Sequence, residues 1–174
     1  MMRYGCLVLV LLLLGCSKKE EEVLDFVPGQ VAVGAQDATT VPQLFTLANA
    51  RSLSIAYIFP ARYSSALPAD SLGYLRRQLA TKAYANAPDW PVQIVRNAQT
   101  NAVQLTVRLV DMTAPNQQDW LTTVQQLQLQ ELSGSKTALL QVPVGEEKRW
   151  VAELQQNAAL RWAELNHINK RTPQ

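Results

Sequence analysis

Apolar and polar residues follow two rhythms along this chain, and the changes of rhythm mark out its elements. Over residues 30–35 the side chains alternate, with Val31, Val33 and Ala35 on one side, which predicts a short strand. The period then lengthens. Val41, Leu44, Phe45 and Ala48 have the i, i+3, i+4, i+7 spacing of a helix. Thr40 is placed to cap that helix, and Pro42 sits in its first turn, where a missing N–H costs nothing. A second strand is expected over residues 53–59, stopped by Pro60. Towards the far end the pattern returns. Residues 137–142 read as a strand, Gly145 as a turn, and Glu146 and Glu147 as carboxylates complementing a helix start. Trp150, Val151, Leu154 and Ala158 give that helix its apolar stripe, and residues 160–168 close as a strand.

The two ends thus spell strand–helix–strand twice. Such split units fold into an antiparallel sheet with both helices on one face, the ferredoxin-like arrangement. The expected class is α+β, with a core over residues 28–59 and 137–168 and a large central α/β insertion over 61–134. The insertion is expected to open with a loop, after which Leu72, Leu75, Leu79 and Ala83 mark a helix. Strands are predicted over 92–96 and 103–110, with residues 98–101 turning between them. Pro115 opens a helix carrying Trp120, Leu121, Val124 and Leu127, and residues 128–132 form a further strand. Joined to the strand at Leu53, this segment has the makings of a second, fused unit of the same kind, and periodicity leaves its strand order open.

The start of the chain adds an address. Arg3 precedes the apolar run Leu7 to Leu14, followed by Gly15 and Cys16. Spanning a bilayer takes roughly 20 apolar residues, so this run reads as a secretory signal and not a membrane helix. Leu13-Leu14-Gly15-Cys16 resembles the bacterial lipobox, which implies removal of residues 1–15 and lipidation of Cys16. An ordinary signal peptide with an incidental cysteine is the alternative. With Cys6 removed and Cys16 acylated, the mature chain has no thiol for a disulfide, metal or nucleophile. Residues 16–27 then form the lipidated start and a charged tether, Ser17-Lys18-Lys19-Glu20-Glu21-Glu22. The tether is a solvated linker by composition, and it also resembles the Lys-plus-acidic signal of surface lipoproteins. Ser17 in place of Asp fits outer-membrane sorting. The expected location is the bacterial outer membrane, lipid-anchored, with the face left open.

Charge and composition narrow the chemistry. The formal net charge is +2 with charges scattered, and no basic block or Arg–aromatic stripe points to nucleic acid. The expected catalytic, cofactor and metal residues are none. His167 is the single histidine, and neither a Gly-x-Ser-x-Gly elbow nor a glycine-rich phosphate loop is present. Trp120 and Trp150 lie on apolar stripes and are expected in the core. Trp90, in a loop between Asp89 and Pro91, is a candidate for a contact.

Pro28-Gly29-Gln30-Val31-Ala32-Val33-Gly34 resembles the opening strand of the inhibitor-type propeptides of subtilisin-like serine proteases. Asn157-Ala158-Ala159-Leu160-Arg161-Trp162-Ala163-Glu164-Leu165-Asn166-His167-Ile168 resembles their closing segment. The layout, including Leu67-Pro68-Ala69-Asp70-Ser71-Leu72, is also similar to uncharacterised bacterial lipoproteins. The propeptide resemblance implies a partner, a separate subtilisin-like serine protease, met by the helix-free face of the sheet. It implies that Glu164 caps the N-terminus of a protease helix, with Asn166 at the position of a second capping group and His167 at the strand's end. The polar tail of residues 169–174, with Asn169, Lys170, Arg171 and Thr172, would run extended through the cleft. A lipid-anchored, non-catalytic interaction protein is therefore expected. The alternative is a structural or assembly lipoprotein that binds partners through the central insertion.

Overall fold

The computed structural model describes residues 25–168. In chain order these form β1 (Phe26–Ala35), α1 (Val41–Asn49), β2 (Ser54–Ser65), a 3-10 turn (Ala69–Ser71) leading into α2 (Leu72–Ala80), β3 (Gln93–Arg96) and β4 (Val103–Met112). They continue with α3 (Ala114–Gln126), β5 (Leu129–Glu131), β6 (Thr137–Gln141), α4 (Glu147–Leu154) and β7 (Leu160–His167). Seven strands join one open antiparallel sheet in the order β3-β4-β2-β6-β1-β7, with β5 beside β2. The fold is α+β.

Strand β2 organises the sheet. Along one edge it pairs with β4 from Ile55↔Met112 to Ser65↔Val103. Along the other, residues 54–59 pair with β6 and residues 63–65 with β5. The outer segments of the chain therefore give the order β7-β1-β6-β2, and the inner segments give β5-β2-β4-β3. Each runs last, first, third, second within its own unit, and the two units share β2.

The elements begin where local chemistry favours them. At α1, Thr40 Oγ1 accepts the Gln43 N–H at 3.4 Å and Gln43 Oε1 accepts the Thr40 N–H at 2.7 Å, a reciprocal cap. Thr113 Oγ1 caps α3 by accepting the Asn116 N–H, without the reciprocal bond, and a proline stands in the first turn of each helix. The helices form one layer. Asn49 of α1 donates to Gln117 of α3 at 2.8 Å, and Arg51 just beyond α1 reaches Glu153 of α4 at 3.1 Å. After α2, Lys82 and Tyr84 both bond Asp119 of α3. Under this layer the strands present Val31, Val33, Ile55, Ile58, Ala61, Val107, Leu109 and Leu140, each at most 1% exposed. Such burial contributes about 1.5–3 kcal/mol for each large side chain.

Several boundaries differ from expectation, each for a tertiary reason. The first strand starts at Phe26, which pairs with His167, and Pro28-Gly29 lies inside it and not before it. Residues 27–30 bulge opposite Asn166, with Gly29 at φ +74°, its N–H on the Glu147 carboxylate at 2.6 Å and its carbonyl on the Val142 N–H. The second strand runs through Pro60 to Ser65, so the segment after residue 60 is strand and not loop. Pro60 is tolerated because it falls between the stretches paired with β6 and β5 and within the register shift against β4. The inner strands are antiparallel and extend the same sheet, so the insertion is not α/β. Ala83 and Ala158 lie beyond the ends of α2 and α4 and are exposed.

Candidate functional site

The helix layer covers one face of the sheet and leaves the other open. Strand alternation decides which side chains reach the open face: Trp162, Glu164 and Asn166 on β7, Ala32 and Gly34 on β1, Leu139 on β6, Tyr57 and Phe59 on β2, and Arg108 on β4. Gly34 faces Trp162 across the β1–β7 ladder, and a Cβ at Gly34 would collide with the Trp162 indole. The indole therefore lies flat over bare backbone, a close approach that only glycine permits. Beside it, Ala32 is 8% and Leu139 6% exposed although no helix covers them. They are shielded by their half-buried neighbours.

The loop after α2 supplies the far flank. Val110 donates its N–H to the Tyr84 carbonyl at 2.7 Å, and from there the loop brings Trp90 edge-on to Phe59, ring centroids 4.8 Å apart. Asp89 pairs with Arg108 at 3.0 Å, and the Arg108 guanidinium lies 4.9 Å from the Tyr57 ring centroid. Among the described residues the buried Trp90 indole N–H has no hydrogen-bond partner. A strip of half-buried aromatics thus crosses the face from Trp162 to Trp90, polar at its Glu164 end.

The sequence-predicted contact residues fall around one end of this strip. Glu164 is exposed on the open face, opposite Ala32. Asn166 shares that face, but its amide donates to Gln30 Oε1 at 2.6 Å and is already engaged. His167 lies at the strand's end with Nδ1 3.7 Å from the Asp25 carboxylate, both side chains largely exposed. Cys16, Asn169, Lys170, Arg171 and Thr172 lie outside the described residues. Trp120 and Trp150 are in the core, at 0% and 9% exposure, and Trp90 packs onto the strip. Sequence reasoning missed Tyr57, Phe59, Leu139 and Arg108. For the first three the signal was the uninterrupted apolar runs in β2 and β6, which mark strands shielded on both faces, whereas Arg108 sits at a polar position of the alternating β4.

Other charged groups hold elements together. Glu147, 4% exposed, is kept below the usual carboxylate range first by the Gly29 N–H, then by the Gly145 N–H and its own. Lys136, 2% exposed, donates to the Thr39 carbonyl at 2.6 Å and lies 3.2 Å from Glu131, which in turn accepts the Val41 N–H at the start of α1. Asp119 is lowered by Lys82 and then by Tyr84. Among the described residues no group of three or more His, Cys, Asp and Glu side chains is placed to hold a metal, and no helix is long and apolar enough to cross a membrane. Compared with protein-family models, with curated proteins and with solved structures, the chain matches none.

Proposed function

We propose that the chain is a lipid-anchored, non-catalytic binding protein of the bacterial outer membrane that engages a protein partner across the helix-free face of its sheet. The observation that carries the reading is the aromatic strip from Trp162 to Trp90, with Glu164 exposed at its edge. A face that is apolar at its centre and polar at its rim has the anatomy of a protein interface. We further read the order β7-β1-β6-β2 under one helix layer as ferredoxin-like, and β5-β2-β4-β3 as a second such unit sharing β2. By resemblance the partner is a separate subtilisin-like serine protease, with Glu164 meeting the unsatisfied N–H groups at the start of a partner helix. This step is analogy.

The test is inhibition of a panel of subtilisin-like proteases by residues 17–174, with and without the last six residues. Tail-dependent inhibition, weakened by Glu164→Lys, supports the reading. Cleavage of the protein, or indifference at micromolar concentration, removes the protease. A second reading, an assembly role through the inner segment, is favoured by Trp90 and Asp89, which belong to that segment and lie on the same face. Partner binding that survives Glu164→Lys and tail removal but not Trp90→Ala would select it.

A further inference from the structure

Apolar side chains stand in solvent at the end of the sheet where the described chain enters and leaves. Val144 is 76% and Ile168 46% exposed, and Pro28 and Pro143 are exposed with them. The start of β1 links these positions. Val144 Cγ2 lies 3.2 Å from where a Cβ on Gly29 would stand, so the turn at residues 143–145 packs against the β1 bulge. The Val142 N–H on the Gly29 carbonyl, at 2.9 Å, joins the same two segments. On the other flank, the Ile168 N–H bonds the Asp25 carbonyl at 2.8 Å. The turn is also clamped. Glu147, 4% exposed, accepts the Gly29 N–H at 2.6 Å and the Gly145 N–H at 3.0 Å. A carboxylate is thus buried to fix a turn whose tip is a valine left in water. The charges nearby are of both signs: Glu146 pairs with Arg149 at 2.9 Å, Lys148 is exposed, and the Asp25 carboxylate lies 3.7 Å from His167 Nδ1.

We propose that this corner seats on the bilayer that holds the Cys16 lipid, with Val144, Ile168, Pro28 and Pro143 entering the headgroup boundary. The seat presupposes the anchor proposed above and adds an orientation to it. Eight residues, 17–24, separate Cys16 from Asp25, a length that spans at most about 30 Å. The corner is therefore the part of the described chain kept nearest the lipid. So small an apolar patch does not hold a free protein on a membrane. A short tether raises the effective concentration of the surface, and a weak contact then suffices. Because positive and negative groups are mixed at the corner, apolar contact and not net charge carries the seat. The sheet then stands on its end, and its open face stays free for a protein partner.

Cys16 is the only thiol in residues 16–174, so it can be coupled by maleimide to a lipid in phosphatidylcholine vesicles, whether or not a cell acylates it. Quenching by brominated acyl chains is then read for two added tryptophans against the unsubstituted protein. Val144→Trp places one at the corner, and Gln99→Trp places one in the exposed turn before β4, at the far end of the sheet. The expected result is quenching at 144 and none at 99, unchanged in high salt. Ile168→Asp, added to Val144→Trp, should lower the ratio of seated to lifted protein about tenfold, the worth of one large apolar side chain. The proposal is overturned by equal quenching at the two positions, or by quenching at 144 that Ile168→Asp leaves intact, since the tether alone would then explain it. Quenching that requires phosphatidylglycerol and vanishes in salt overturns it as well. So does a lipid-free dimer in sedimentation that Val144→Asp dissolves, which would give the patch to a second copy. The anchor is tested separately: an absence of acyl mass on Cys16 of the protein isolated from its own cells sinks the anchored reading, whatever the vesicles show.

Discussion

On the helix-covered face, Val31, Val33, Ile55, Ile58, Val107 and Leu109 are each at most 1% exposed and fill a continuous interior with branched aliphatic volume. On the opposite face the same strands rely on a few specific approaches: the Trp162 indole over Gly34, Trp90 edge-on to Phe59, and Arg108 beside Tyr57. The first face gains its stability from the amount of apolar surface removed from water, and many residues share the task. The second gains little from any one area and keeps its aromatic side chains partly in solvent. Volume is specified on one side and geometry on the other, and a face of the second kind is free to exchange water for a partner.

Substitutions separate these two regimes, and the helix-covered face should be the less forgiving. Leu109→Ala removes a fully buried side chain, and a loss of about 3–4 kcal/mol is expected from urea unfolding. Lys136→Met strands Glu131 beside the start of α1. A loss of about 3 kcal/mol is expected, because the removed charge leaves a partner that is only 12% exposed. If Lys136→Met proves neutral, the packing of the methionine stem and the Val41 N–H suffice for Glu131, and the pair is not what holds that corner.

On the open face the expected losses shrink. Gly34→Ala drives the Trp162 indole off the sheet, so a stability loss of about 1–2 kcal/mol should accompany a red-shifted tryptophan emission. A loss without the red shift would mean that the backbone, and not the indole, had yielded.

Glu147 adds a pH dependence belonging to neither face. Its folded carboxyl lies below its ordinary value of 4.5, because the Gly29 and Gly145 N–H groups favour the charged form. The unfolded chain therefore binds the proton more readily. The stabilisation is complete above the ordinary value and is lost as pH falls through it towards the lowered one. Thermal melts below about pH 5 should show a shallower acid decline for Glu147→Gln than for the parent, at the expense of lower stability near neutrality. An identical decline would place the acid sensitivity elsewhere.

The smallest effect is expected at Glu164. Because Glu164 is exposed and has no ion pair among the described residues, Glu164→Lys should change stability by no more than about 0.5 kcal/mol. Any larger consequence should appear only in partner binding.

What could be read from the sequence divides along the same line. The starts of both helices were legible because Thr40 with Pro42, and Pro115, act within a single turn, while the Thr113 cap on the second was not read. The alternation of β4 was legible because one of its faces is uniformly apolar. The passage of β2 through Pro60 was not, since it depends on which neighbours leave that position unpaired. The bulge at Pro28-Gly29 depends on Glu147, 118 positions away in the chain. The alternation that sets Glu164 and Asn166 on one face of β7 is local, while the engagement of Asn166 by Gln30 joins strands that only the folded sheet brings together. Nor does any local pattern announce that Lys136 is buried, or that Glu131 accepts the N–H at the start of α1. Such features belong to pairs of residues distant in sequence.

The adjacency of Phe26 and His167, reinforced by the Ile168 N–H on the Asp25 carbonyl at 2.8 Å, has a mechanical consequence. The described chain enters and leaves at one corner, so a pull between those two points opens the β1–β7 ladder from its end, like a zipper, loading one hydrogen-bonded pair at a time. A pull between Asp25 and a partner seated on the open face takes another route: it loads several strands together and shears them. A protein held at that corner is compliant to tension between its two ends and stiff to tension carried through the sheet.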